Sequence, residues 1–489
     1  MSIICLEFPF FLINLRIKQC ITNFNSMTIA IVIVILLGYL FIATEHLTNI
    51  NKALVAVFCG TVGWVLFMCT GTSFINAMYA PEYTEFLSGA DHTVALSKEF
   101  ISQHIFLRYV GEVGALALYL LATMSIVEVL TNNECFSFIE KLIRKRSTWQ
   151  VLWTTVVLTF LLSTCIDNLT ITVLMLMILR KIIRNSKQRM YIGSAVVIAA
   201  SCGGCWTVIG DVTSLMIWAK GAVTATNFSA SLVLPSIVAA IIPTLLIQRQ
   251  LPEHLDLDRP AYSYRGDDSL LSIWQKSILF FFGIGGLWFV PSFHRITLLP
   301  PFLGALCCLG VVWVLNEIFN KTRIRTEQPQ SISLGRSLQY EVLQVIMYCI
   351  GVTLCVAVLM EIGVMHAVGQ WLDDKIHNIY LASAFMGLMS SVLDNIALVM
   401  AGINIYPVQH TAAGGYMESF VQNGQYWHLI ALSGNIGGCL LPIGSVAGFA
   451  LMRAEGVSVW WYVRRISLFA LIGWAASVGV YFLVDYFLR

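Results

Sequence analysis

Apolar runs dominate this chain and leave it little choice of fold. Stretches at 28–44, 53–71, 109–130, 191–219, 231–248, 276–292, 298–319, 342–362, 427–453 and 466–487 come close to the roughly 20 residues that a membrane-crossing helix needs. Two more apolar stretches, 150–180 and 379–404, each carry an Asp-Asn pair near the middle. Composition agrees: 58% of residues are hydrophobic and 11% charged, against about 25% charged in soluble domains. The chain reads as an all-α polytopic membrane protein, with the lipid bilayer as its first partner. The net charge of +2 gives no field for nucleic acid. The 13 cysteines are scattered through apolar segments, where Cys behaves as a small hydrophobic residue and implies no disulfide framework. The run Cys202-Gly-Gly-Cys205 reads as close helix packing.

Loop charge orients the runs, because Lys and Arg mark the cytoplasmic side. Lys141, Arg144, Lys145 and Arg146 precede the stretch 150–180, and Arg180, Lys181, Arg184, Lys187 and Arg189 follow it. Both of its ends are therefore inside, so the stretch enters and returns as a re-entrant hairpin with Asp167 and Asn168 near the tip. The flanks of 379–404, taken as 371–378 and 405–426, hold only Lys375. That hairpin is expected to enter from outside. With inside segments at 141–149, 180–189, 249–276, 320–340 and 453–465, 20 of the 29 basic residues lie inside, against four in the outside segments. The expected layout is about ten transmembrane helices plus two re-entrant hairpins.

The order of elements repeats. Residues 109–250 form a first repeat, with hairpin 150–180 and a Gly-broken helix 191–219. Residues 342–489 form a second, with hairpin 379–404 and a broken helix 427–453. Residues 27–108 supply N-terminal helices and an outer loop, and 251–341 a linker with connecting helices. Residues 1–26 read as an extension of unclear role, because Arg16 and Lys18 follow an apolar patch where a secretory signal would have them precede it. Inverted-topology repeats with discontinuous helices are an architecture of secondary transporters.

The chemistry sits at the interruptions. A carboxylate at membrane depth is costly unless it is paired, hydrated or holding a cation. Asp167-Asn168 and Asp394-Asn395 occupy the two hairpins. Each broken helix places Gly-Gly (203–204 and 437–438) ahead of Ile-Gly (209–210 and 443–444); Asp211 follows the first and Ser445 the second. Gly, and Pro442 with no amide donor, interrupt the helix and free carbonyl oxygens. Hard cations take oxygen ligands. The candidate cation and proton ligands are therefore Asp167, Asn168, Asp211, Asp394 and Asn395, with Ser163, Thr170, Ser433 and Asn435 beside the interruptions. Asp167, Asp211 and Asp394 are the expected Na⁺ ligands. Two acids sharing a low-dielectric pocket resist double ionisation, so one acid can hold a proton in one state and Na⁺ in another. Asp and Asn also cap helices, which is the structural alternative. Glu112 and Glu128, sixteen residues apart on 109–130, are candidates for a proton pathway. Glu361 and the outer-side His104 carry weaker versions of the same expectation.

No Walker loop, catalytic triad or dinucleotide fingerprint appears, and the loop 249–276 is too short for an ATPase domain. Transport driven by a gradient is expected, with no resident cofactor: Na⁺ or Li⁺ and H⁺ are the cargo. Two other readings compete. One is a cation-coupled carrier of an anion or oxyanion, such as a carboxylate or arsenite. The other is a membrane-embedded protease using paired aspartates, which the duplicated hairpins and broken helices argue against.

The stretch STCIDNLTITVLMLMILRKII (163–183), followed by AVVIAASCGGCWTVIGDVTSLMIW (195–218), resembles the NhaD-type sodium:proton antiporters of bacteria. These belong to a wider ion transporter superfamily with arsenite and dicarboxylate carriers. LATMSIVEVLTNNECFSFIEKLI (121–143) and LLGYLFIATEHLTNINKA (36–53) fit the same pattern. The resemblance implies exchange of Na⁺ or Li⁺ for H⁺, favoured at alkaline pH, by a multi-pass protein of a bacterial cytoplasmic (inner) membrane. It implies an inverted-repeat fold with hairpins, often as a homodimer. Carried onto matching positions, it implies roles for Asp167, Asn168, Thr170, Asp211, Glu112, Asp394 and Asn395. Cys202 and Cys205 depart from the Ala common in that family, which removes no oxygen ligand. Ile166-Asp167-Asn168 stands where dicarboxylate carriers show Ser-Asn-Thr, so acids at both tips disfavour an anion substrate.

Overall fold

In a computed structural model the regular structure among the described residues is helical. The structure describes residues 26–48, 50–70, 74–75, 79–88, 91–143, 147–256, 271–324, 332–409 and 415–488, the side chains of 26, 46, 47, 322–342 and 488 excepted. The N-terminal extension up to residue 25, the basic residues Arg144, Lys145 and Arg146, and parts of the loops at 249–276, 320–340 and 405–426 lie outside the described residues.

The ten expected spans resolve by type. Seven helices among the described residues are long and apolar enough to cross a membrane: Lys52–Thr70, Val94–Asn132, Ala225–Gln248, Ile273–Thr297, Pro301–Lys321, Leu343–Glu361 and Val459–Phe487. The run at 28–44 is a shorter apolar helix, Met27–Ala43. The two Gly-broken runs are indeed interrupted, as Ser186–Trp206 with Val212–Ala219 and as Gln425–Gly437 with Val446–Glu455. The protein is an all-α polytopic membrane protein.

The two Asp-Asn stretches break where the acids stand. The first forms Thr148–Leu162 and Asn168–Ile182, 15 residues each. At 1.5 Å per residue each arm is about 22 Å long, short of the ~30 Å hydrocarbon core. The second forms Ile379–Leu393 and Asn395–Ile405, parted by Asp394 alone. The outer loop expected within residues 27–108 contains the helices Ala80–Leu87 and Val94–Phe100, the latter capped by Thr93. Ala80–Leu87 is only eight residues long, and Val94–Phe100 is the polar start of the long helix Val94–Asn132.

Two compact units divide the chain. The first takes its residues from Met1–Ala117, Gln344–His377 and Met400–Pro407. Its core is aromatic and aliphatic, built from Trp64, Phe67, Tyr83, Phe100, Tyr109 and Val358. Within it Glu361 is buried, and its Oε1 accepts hydrogen bonds from Tyr109 at 2.7 Å and Tyr79 at 3.0 Å.

The second unit comprises Leu118–Leu343, Asn378–Val399 and Val408–Arg489. Here the internal duplication is visible in the packing. Thr148–Leu162 lies along Ser186–Trp206, as Ile379–Leu393 lies along Gln425–Gly437. Gly203 and Gly437 mark the two crossings, because a methyl at Gly203 would meet the Phe160 backbone and one at Gly437 the Gly387 backbone. Ala225–Gln248 and Leu468–Leu488, the last helices of the two repeats, pack on each other. At one end of this unit Glu455 joins three helices, taking Arg180 Nε at 2.9 Å and Arg189 Nε at 2.8 Å. Cys202 and Cys205 are buried free thiols.

Candidate functional site

Each interruption exposes the start of a new helix, and each start is capped by a residue from the sequence motifs. Asp167 caps Asn168–Ile182: its Oδ2 accepts from Thr170 N at 3.0 Å and Thr170 Oγ1 at 2.8 Å. Asp211 caps Val212–Ala219 through Thr213 N at 3.2 Å, and the Thr213 hydroxyl reaches the same oxygen. Asp394 takes Ile396 N at 3.0 Å. Ser445 caps Val446–Glu455 through Gly448 N at 3.1 Å. The capping role anticipated as the structural alternative is therefore present at all three acids. It accounts for one side of each carboxylate, and for none of the arrangement that brings them together.

That arrangement begins at Asn168. Its Nδ2 donates to Asp211 Oδ1 at 2.8 Å, joining the hairpin tip to the broken helix. Its Oδ1 lies 2.8 Å from Ser163 Oγ, which also lies 2.7 Å from the carbonyl of Ala200. Gly204 permits the approach, since a methyl there would collide with Asn168 Oδ1. The second repeat copies the frame: Ser390 Oγ donates to the Gly434 carbonyl at 2.6 Å, and Asn395 Nδ2 donates to Asn435 Oδ1 at 3.2 Å. At this site a contact crosses between repeats, with Thr213 Oγ1 standing 3.0 Å from Asn435 Oδ1.

Burial is deep. Asp211, Asn168, Asp394 and Asn395 are buried, Ser163 and Asn435 wholly so, and Asp167 keeps partial exposure. Among the described residues, neither Asp167 nor Asp211 enters an ion pair with Lys or Arg. Asn395 Oδ1 and Asn435 Nδ2 are buried without a hydrogen-bond partner. Buried polar atoms left unpaired are few in folded proteins, and each calls for a reason.

Charge counting separates the two halves. A helix N-terminus carries roughly +0.5 of an elementary charge. In the first half two carboxylates face two helix starts, leaving about −1. In the second half Asp394 alone faces two starts, leaving about zero. One monovalent cation or one proton balances the first half. The asymmetry follows from a single difference, Asp211 against Ser445.

Of the candidates, the structure joins Ser163, Asn168, Asp211, Asn395 and Asn435 through hydrogen bonds that run by way of Thr213, and Asp167 to Thr170 through its cap, with Asp167 adjoining Asn168 and Asp394 adjoining Asn395 in the chain. Ser433 is held elsewhere, by Trp474 Nε1 at 3.4 Å. Glu128 is half-buried on Leu107–Asn132 in the second unit. Glu112 is exposed and belongs to the first unit. Thr213 and Ser390 escaped the sequence reading. Thr213 had a signal, since Asp211-Val-Thr213 parallels Asp167-Asn-Leu-Thr170 as a cap with its own hydroxyl.

Comparison with known proteins gives the family. The family described as citrate transporter matches residues 39–422. "Sodium/proton antiporter 2" of Arabidopsis thaliana is 32% identical over 378 residues, 77% of this chain and 87% of the relative. The chain belongs to the NhaD-type sodium:proton antiporters within this wider transporter family. "Sodium/proton antiporter 1" of the same plant is 33% identical over 374 residues, 76% of this chain and 62% of the relative. The chain therefore spans under two thirds of that longer protein. "Na(+)/H(+) antiporter NhaD" of Vibrio cholerae is 26% identical over 403 residues, 77% of this chain and 79% of the relative. Membership in this family indicates a transporter rather than an enzyme.

Proposed function

We propose that the protein exchanges Na⁺ or Li⁺ for H⁺ across its membrane, with cation and proton competing for the Asp167 and Asp211 carboxylates. The observation that carries this reading is two acids at two helix starts, Asp211 buried and Asp167 partly so, linked through Asn168, which follows Asp167 in the chain and bonds Asp211, with neither acid paired to a base among the described residues. Its residual charge of about −1 fits one monovalent cation or one proton and not both. Asp394 and Asn395 contribute oxygens on the second side. The relatives named as Na⁺/H⁺ antiporters support the same assignment.

In this reading the two hairpins enter from opposite faces of the bilayer, as the bias of loop charge favours. Residues 109–250 and 342–489 then act as inverted repeats. Glu128, and Glu112 beyond it on the same long helix, serve as proton-pathway residues. The bacterial relatives named NhaD support an inner-membrane location. The plant relatives, at higher identity, support a eukaryotic membrane instead, and fractionation of the source cell separates the two.

A second reading keeps one observation in its favour, the family description as citrate transporter. Against it stands the negative residual charge at the first half, which repels a carboxylate substrate. The test is exchange in liposomes carrying the purified protein. A Na⁺ or Li⁺ gradient should drive H⁺ movement, and Asp167→Asn or Asp211→Asn should abolish it in folded, inserted protein. Citrate-driven H⁺ or Na⁺ uptake with no cation exchange would favour the second reading.

A further inference from the structure

The Thr213 hydroxyl occupies an unusual place. It is buried, and it lies within hydrogen-bond distance of Asp211 Oδ2 on its own repeat and of Asn435 Oδ1, 3.0 Å away, on the other. Asn435 in turn accepts from Asn395 Nδ2 at 3.2 Å. A continuous polar chain therefore runs from Asn168 through Asp211, Thr213 and Asn435 to Asn395, joining one hairpin tip to the other. Every member except Thr213 is an acid or an amide that the sequence already marked. Thr213 is the only link that spans the repeats in this chain of contacts.

We propose that Thr213 is a positioning residue, which ties the Asp211 carboxylate to Asn435 so that the second repeat helps set cation affinity at the first. The inference rests on the reading of Asp167 and Asp211 as the cation ligands. Two observations beyond the tie itself support it. Thr213 N–H donates to Asp211 Oδ2 and Asn168 holds Oδ1, which fixes the carboxylate, while the single Thr213 hydroxyl proton is shared between Asp211 Oδ2 and Asn435 Oδ1. Asn435 Nδ2 and Asn395 Oδ1 are left buried and unpaired, so these amides keep their places without full satisfaction. Loss of the hydroxyl frees one side of Asp211 and removes one of the two contacts on Asn435 Oδ1. The position equivalent to Thr213 beyond Ser445 is Ala447, so the second repeat cannot supply a reciprocal tie.

The test uses purified protein in liposomes and reads the KM for Na⁺ and kcat of exchange separately. Thr213→Val keeps the volume and removes the hydroxyl. It is expected to raise KM about tenfold with little change in kcat, because one hydrogen bond to a charged group is lost. Thr213→Ser should restore KM to within about twofold. Asn435→Ala should raise KM in the same direction, and the double variant should be no worse than the weaker-binding single, since both act through one contact. An unchanged KM in Thr213→Val, failure of Thr213→Ser to rescue it, or single effects that multiply would each overturn the tie. Asp211→Asn in the same series separates the two levels. Wild-type exchange there sinks the cation-ligand reading and the tie with it, whereas an inactive Asp211→Asn beside an unaffected Thr213→Val sinks the tie alone.

Discussion

Asn168 and Asp211 lie 43 residues apart in sequence and 2.8 Å apart in space, amide nitrogen to carboxylate oxygen. The contact makes a hairpin tip and a broken helix into one site. Asn168 adds no charge there, so the acid it holds stays available to a cation or a proton.

Removing the bridge should weaken cation binding without emptying the site of acids. Asn168→Ala deletes the bond to Asp211 and the contact with Ser163. Hydrogen bonds to charged groups contribute about 1.5–3 kcal/mol, so the KM for Na⁺ should rise at least about tenfold. Na⁺ titration of exchange in liposomes measures it. A KM equal to that of the unaltered protein would show that the bridge is idle.

Gly204→Ala should be poorly tolerated. The added methyl meets the Asn168 amide, which is pinned on both sides, and lies 3.1 Å from the backbone oxygen of Gly210. Overpacking of this kind costs about 1–3 kcal/mol. Gly114→Ala is the control, since nothing lies within 4 Å of an added methyl there, and Ala favours a helix by about 1 kcal/mol over Gly. Thermal unfolding in detergent should show a lowered midpoint for the first and an unchanged or raised one for the second.

Much of this was legible in the sequence, and the reasons are physical. An Asp in an apolar run is conspicuous because hydrocarbon cannot solvate it, so Asp167, Asp211 and Asp394 stand out with no structure at hand. The helix breaks are equally legible, because Gly-Gly and Pro442 weaken any helix that contains them. Partners were not legible. Asn168 with Asp211, and Thr213 with Asn435 across 222 residues, meet only through packing that periodicity does not encode. The helices at 80–100 were not legible because polar and charged residues are mixed with the apolar ones in APEYTEFL and VALSKEF. Ser433 looked like a ligand from its position alone, and packing turned it towards Trp474.

Asp394 carries φ 77° and ψ 131°, a region that L residues rarely occupy and that costs on the order of 1–3 kcal/mol. Asp394→Gly should relieve this strain while losing the cap on Ile396, and Asp394→Ala should lose the cap and keep the strain. The Gly variant should therefore be the more stable by about 1–2 kcal/mol, read as thermal midpoints in detergent. The reverse order would show that backbone strain does not decide this position.

Glu455 clamps the end of Asn168–Ile182 to Val446–Glu455 by way of Arg180 and Arg189. Its side chain is almost fully buried, whereas Arg180 is half exposed, so solvent screening reduces the worth of that arm. Glu455→Gln should lower stability by about 2 kcal/mol, and Arg180→Gln by less. Paired unfolding curves check the order, and an unchanged Glu455→Gln would show that the clamp contributes nothing.

Proton release on cation binding tests the competition most directly. NaCl is added to weakly buffered, purified protein in detergent, and a pH dye reads the protons set free. Release that saturates with Na⁺ or Li⁺, persists with unaltered sequence, and disappears in Asp167→Asn and in Asp211→Asn is the expected result. Release undiminished in both variants, or Na⁺ bound with no proton given up, contradicts the exchange of a cation for a proton at these two carboxylates.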